Sequence, residues 1–108
     1  MKEAGYAVIL VTVSSREEAD KIAWVLLENR RAACVNIVPG ISSHYWWHNS
    51  IDHADELLLV IKTRLSAVPR VIELVKNNHS YSVPEIIAVP IVAGSDDYLN
   101  WIGAEVPE

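Results

Sequence analysis

Cysteine is nearly absent from this 108-residue chain. The single Cys34 excludes an intrachain disulfide and any CxxC metal knuckle, and its apolar neighbours Ala33 and Val35 fit a reducing compartment. No apolar stretch approaches the roughly 18–20 residues of a membrane span. Met1-Lys2-Glu3 leads straight into a strand-like run without the pattern of a signal peptide, so the expected location is cytoplasmic and away from membranes. A basic surplus is missing as well: 9 Lys and Arg are scattered among 14 Asp and Glu, for a formal net charge of -5, which argues against a phosphate-tracking surface for DNA or RNA. No repeat, low-complexity tract or linker interrupts the chain, and 51% hydrophobic content is enough for one domain, residues 1–108, to fold without a staple. No Ser-His-Asp, paired-carboxylate or metal-hydrolase spacing is visible, so no catalytic residue is assigned and an enzyme is not expected.

What is present has a readable order. Tyr6 to Val13 is a β-rich apolar run. Ser14 or Ser15, with Glu17 or Glu18 three residues later, forms a capping box that opens a helix. In that helix Ala19, Ile22, Ala23 and Leu26 fall on one stripe, and the helix stops near Asn29. A very long strand follows, from Ala33 to Trp47, broken once by Pro39-Gly40. Its last part alternates, with Ile41, Ser43, Tyr45 and Trp47 on one face and Ser42, His44 and Trp46 on the other. Such a strand overhangs its own sheet, and two adjacent tryptophans pointing opposite ways suggest that another subunit covers one of them.

Asn49-Ser50 reads as the hairpin turn, after which the return strand is polar from Asp52 to Glu56 and apolar from Leu57 to Ile61. Ser66 is expected to cap a second helix, with Pro69 in its first turn, a stripe of Val68, Val71, Ile72 and Val75, and an end around Asn77-Asn78. A last strand from Glu85 to Val92 precedes a short helix from about Ser95 to Ile102. The order predicts an α+β, ferredoxin-like βαββαβ sandwich with a long hairpin arm between its second and third strands. The second and fourth strands then lie at the edges, where Pro39, Pro84 and Pro90 are tolerated.

Three pieces stand in the order and spacing of one family: Ala33-Cys34-Val35-Asn36-Ile37-Val38-Pro39-Gly40, Tyr45-Trp46-Trp47, and Tyr81-Ser82-Val83-Pro84-Glu85-Ile86. With Lys62-Thr63 and the ending Asp97 to Ile102, they closely resemble the CutA-type divalent-cation tolerance proteins over nearly the whole chain. The resemblance implies a homotrimer in which the arm of each subunit pairs with the next. It also implies a role tied to divalent metal ions, copper among them. In copper-binding relatives the implied ligands are a cysteine in the first strand and two consecutive histidines before the tyrosine motif. Here those positions hold Val11 and Asn78-His79, so two of the three ligands are absent. A lone imidazole holds Cu(II) or another divalent metal only weakly.

His79 therefore has two readings, a cap on the negative end of the second helix or a metal or ligand contact at a subunit cleft. The other histidines offer a substitute. If Asn49-Ser50 is the turn, His48 faces Ile51, Trp46 faces His53 and His44 faces Asp55. His48 and His53 are then diagonal neighbours at roughly 7–8 Å, the one pair able to chelate adventitious Cu or Zn. Cys34 lacks a helix N-terminus or an adjacent base to activate it and reads as a small buried hydrophobe. Lys62, at the end of an apolar strand, needs a partner, and Glu85 is the obvious acid. That pair is either structural or, with Cys34, Trp46 and Tyr81, part of a polar cleft at a trimer interface that binds a small molecule.

The functional reading is a trimeric, non-enzymatic divalent-cation tolerance protein that binds metal or serves a stress response. The alternative is a regulatory module resembling the PII signalling proteins, with a small molecule held between subunits. The missing glycine-rich phosphate cradle weakens the nucleotide form of that alternative.

Overall fold

Tyr6–Val13 forms β1 in the computed structural model, which describes residues 5–108. The expected leaderless start at Met1-Lys2-Glu3 and the head of the expected 1–108 domain fall on residues 1–4, outside the described residues. Ala7, Ile9, Val11 and Val13 are fully buried, and the residues between them are half-buried, as suits a central strand covered on both edges. Ser15 caps α1 (Arg16–Glu28) by accepting from the Glu18 N–H at 3.2 Å, and the buried stripe is the expected Ala19, Ile22, Ala23 and Leu26. The Glu18 carboxylate does not close the capping box. It turns instead toward the backbone N–H of Ser80 at 3.4 Å.

β2 (Cys34–Trp47) and β3 (Ser50–Arg64) make the long hairpin. A single 3₁₀ turn, Leu65–Ala67, winds the chain into α2 (Val68–Asn78). Ser66 is therefore not the cap: Ala67 holds that position without a side-chain bond, and Pro69 occupies the first turn, where a missing N–H costs nothing. The buried stripe is Val71, Leu74 and Val75, so Leu74 takes the place expected of Ile72. β4 is shorter than expected, Ile86–Pro90, and α3 is longer, Asp96–Glu105.

The strands assemble in the order β2-β3-β1-β4, antiparallel throughout, which is the ferredoxin-like arrangement with β2 and β4 at the edges. Pro39 and Pro90 thus sit on edge strands, where an absent ladder donor is tolerated. Both long helices pack on one face, closing a core in which Ile9, Val11, Leu59 and Ile61 meet Ile22, Leu26, Val71 and Val75. No helix among the described residues is long and apolar enough to cross a membrane.

The other face of the sheet is also apolar. Alternation and pairing place Val8, Leu10, Leu58, Val60, Ile87 and Val89 on it, and Ile87 and Val89 are 51% and 49% exposed. α3 covers only one end, where the Arg64 guanidinium donates to the Gly103 carbonyl at 2.6 Å and to the carbonyl of Val106. Beyond the sheet, Ile41–Trp47 pair with Ser50–Glu56 alone and project as an arm. A β-bulge between Val38 and Ile41 marks its root, and Gly40 there adopts φ +75°, a conformation that glycine supplies without strain.

Candidate functional site

Under the arm lies an open cavity of about 790 Å³, walled by Trp46 and neighbouring arm residues on one side and by the segment from Tyr81 to Glu85 on the other. Glu56 is the last polar residue before the apolar stretch of β3, and it is only 6% exposed. A carboxylate taken so far from water needs a donor. Tyr81 supplies one, its hydroxyl donating to Glu56 at 2.7 Å. Burial, then the hydrogen bond to Glu56 and the charge of that carboxylate, pushes the Tyr81 pKa up to about 12. The phenol therefore stays protonated and acts as a fixed donor at neutral pH. This pair was not expected from the sequence, although an acid directly preceding an apolar run was a usable signal.

His79 positions Tyr81. Its side chain is fully buried, and Nε2 lies 2.7 Å from the Thr12 carbonyl. A carbonyl can only accept, so Nε2 carries the proton, leaving Nδ1 to accept from the Tyr81 N–H at 3.0 Å. Both ring nitrogens are engaged, with the Glu18 carboxylate 3.4 Å from Nδ1. His79 stands at the C-cap of α2, yet its partner is a carbonyl of β1 rather than the helix's own end. The neighbouring positions supply no metal ligand: Val11 is buried in the core and Asn78 donates to the Leu74 carbonyl. Among the described residues no group of three His, Cys, Asp or Glu side chains is placed to hold a metal ion.

The five expected cleft residues fall into two groups within one chain. Trp46, Tyr81 and Glu85 share the cavity. Cys34 and Lys62 face each other across the far end of the β2–β3 ladder. Lys62 does not reach Glu85 among the described residues; its ammonium donates to the Asn36 side-chain carbonyl instead, and Cys34 Sγ lies 3.9 Å from the same oxygen. The sheet order explains this, because β1 stands between β3 and β4. Near Cys34, Tyr98 has its pKa raised, first by burial and then by the adjacent thiol.

The turn falls one residue earlier than expected, which moves each cross-strand partner in the arm by two residues. His48 and Asn49, at φ +49° and +65°, form the turn in place of Asn49-Ser50. His44 consequently faces His53 and Trp46 faces Ile51. The expected diagonal pair of His48 and His53 does not form, because His48 leaves the ladder and sets its ring edge-on to Trp47 at 4.8 Å. His44 and His53 stack instead, their centroids 6.0 Å apart and their planes at 28°.

The family model of the CutA1 divalent ion tolerance protein matches residues 7–105. The divalent-cation tolerance protein CutA of Thermus thermophilus is 50% identical over 95 residues, covering 88% of this chain and 92% of that protein. The chloroplastic protein CutA of Arabidopsis thaliana is also 50% identical over 95 residues, but the chain spans only 52% of its length. The solved structure of the periplasmic divalent cation tolerance protein CutA from Archaeoglobus fulgidus superposes with a TM-score of 0.92 at 43% identity, covering 94% of this chain and 99% of that one. Because the match takes in every strand and all three helices, from the central strand through the arm to the last turn of α3, the chain belongs to the CutA1 divalent ion tolerance protein family.

Proposed function

We propose that this chain works in the cytoplasm as a homotrimeric, non-enzymatic divalent-cation tolerance protein whose metal contacts are weak and exchangeable. The observation that carries the proposal is the second apolar sheet face, continuous by register with the arm face that bears Tyr45 and Trp47, which are 39% and 41% exposed. A monomer leaves that surface in water, whereas pairing with further copies of the chain removes it. The unpaired Cys34 fits a reducing compartment. Tyr81 and Glu56 satisfy each other as donor and acceptor, an arrangement suited to holding a wall in place rather than to moving a proton. Light scattering after gel filtration is expected to give three chain masses, and replacing Trp46 and Trp47 together by Ser is expected to weaken that assembly. A monomer at micromolar concentration overturns the proposal.

A second reading rests on the cavity. Its size suits a small molecule held by a PII-like regulatory module, with Trp46 and Tyr81 offering ring faces. Asp52, Glu56 and Glu85 line it, so a cation or a neutral ligand is favoured over a nucleotide phosphate. A thermal-shift series with divalent metals and nucleotides side by side separates the two readings. Stabilisation by metals alone supports the first, and stabilisation by a nucleotide at equal concentration supports the second.

A further inference from the structure

We propose that His44 and His53 form a two-imidazole site for a late first-row divalent cation, Cu(II) foremost, on the face of the arm. The residues stand directly opposite on adjacent antiparallel strands. That places their Cβ atoms about 4.5–5.5 Å apart, a separation fixed by the backbone ladder rather than by the side chains. The rings already lie over one another at 6.0 Å between centroids. Two nitrogens bound at about 2.0 Å to one ion sit about 3 Å apart, a closure that side-chain rotation supplies without moving either strand.

The ring nitrogens are available. Among the described residues neither His44 nor His53 has a side-chain hydrogen bond or an ion pair, and both are exposed. His79 differs, since both its nitrogens are engaged, and His48 differs because it belongs to the turn and packs against Trp47. Two residues along from His53, Asp55 projects from the same face, diagonal to His44 and opposite Ser42, but it is not placed as a third ligand, so water fills the remaining positions. Asp52 lies on the other face and accepts from the His53 N–H at 2.8 Å, so it belongs to the backbone of the strand rather than to the site.

Two imidazole nitrogens with water oxygens make an N,O donor set that suits tetragonal Cu(II), and affinity along the first-row divalent ions peaks at copper. Ca(II) and Mg(II), which take all-oxygen shells, are poor occupants. The site is contained within one chain and goes beyond the trimer reading, so it survives if that reading fails.

The test is titration of the full chain with Cu(II), followed by calorimetry and by electron paramagnetic resonance at low temperature. One ion per chain is expected at the strongest site, with splitting from two imidazole nitrogens. His44→Gln and His53→Gln are each expected to weaken binding at least tenfold, while His48→Gln leaves it unchanged. Binding of undiminished strength in the His44→Gln, His53→Gln double variant overturns the proposal, as does an equal loss in His48→Gln. The spectrum of the unaltered protein is an independent check that needs no variant: coupling to a single nitrogen, or to none, also overturns it.

Discussion

Tyr81 reaches across 25 residues of sequence to donate a 2.7 Å hydrogen bond to Glu56, so the loop before β4 is tied to the root of the arm by one phenol and one carboxylate. Tyr81→Phe removes the donor and leaves the buried acid without it. The expected cost is about 1–3 kcal/mol of stability, read as a lower urea midpoint. Glu56→Gln keeps an acceptor for the phenol and is expected to cost less. Equal midpoints for Tyr81→Phe and the unaltered protein show that the bond is dispensable.

The raised pKa of Tyr81 predicts a difference at high pH. The folded state holds this proton up to about 12, whereas the unfolded state releases it near the ordinary tyrosine value of 10.0. The stabilisation is therefore whole below pH 10 and drains away as pH rises toward 12. Denaturation midpoints of the unaltered protein and Tyr81→Phe are expected to converge across that window. Parallel curves there contradict the shift.

His79→Ala strips a donor from the Thr12 carbonyl and an acceptor from the Tyr81 N–H in one step. Each orphaned buried group costs about 1–3 kcal/mol, so a loss at the upper end of single-residue effects is expected. Copper affinity is expected to stay as it was, because neither nitrogen is free in the folded chain. A fall in copper affinity with unchanged stability reverses the assignment.

The turn offers a gain rather than a loss. His48 and Asn49 both occupy the left-handed region, which costs an ordinary L-residue roughly 1–2 kcal/mol and which the Asn-Gly pair adopts readily. His48→Asn with Asn49→Gly is expected to raise the thermal midpoint. A drop means that the edge contact between Trp47 and His48 outweighs the backbone strain.

The parts legible in the sequence are those where one local signal has no competitor. Ser15 and the stripe from Ala19 to Leu26 define α1 without reference to anything distant. Pro39 and Pro90 point to edge strands because a central strand has no room for a missing donor. The arm's register was not legible. A shift of two partners leaves every side chain on its own face, so face patterning does not oppose it, and the turn contains no glycine to pin the register. Lys62 and Glu56 show a further limit. Lys62 called for a partner and Glu56 did not, yet Asn36 and Tyr81 meet them through strand order and loop path, which residue chemistry alone does not specify.

The bulge at Pro39-Gly40 separates the aim of the arm from its stitching. Two residues of β2 oppose a single residue of β3, so Val38 still meets Leu58 and Ile41 still meets Glu56. Removing one of the two leaves every later partner unchanged, His44 with His53 and Trp47 with Ser50 included. What alters is the bend and twist that the extra residue imposes on the strand. Direction is thus an adjustable quantity at this one joint. A single insertion or deletion there swings the tryptophans through space like a tiller, while the hairpin beyond it keeps its pairing intact.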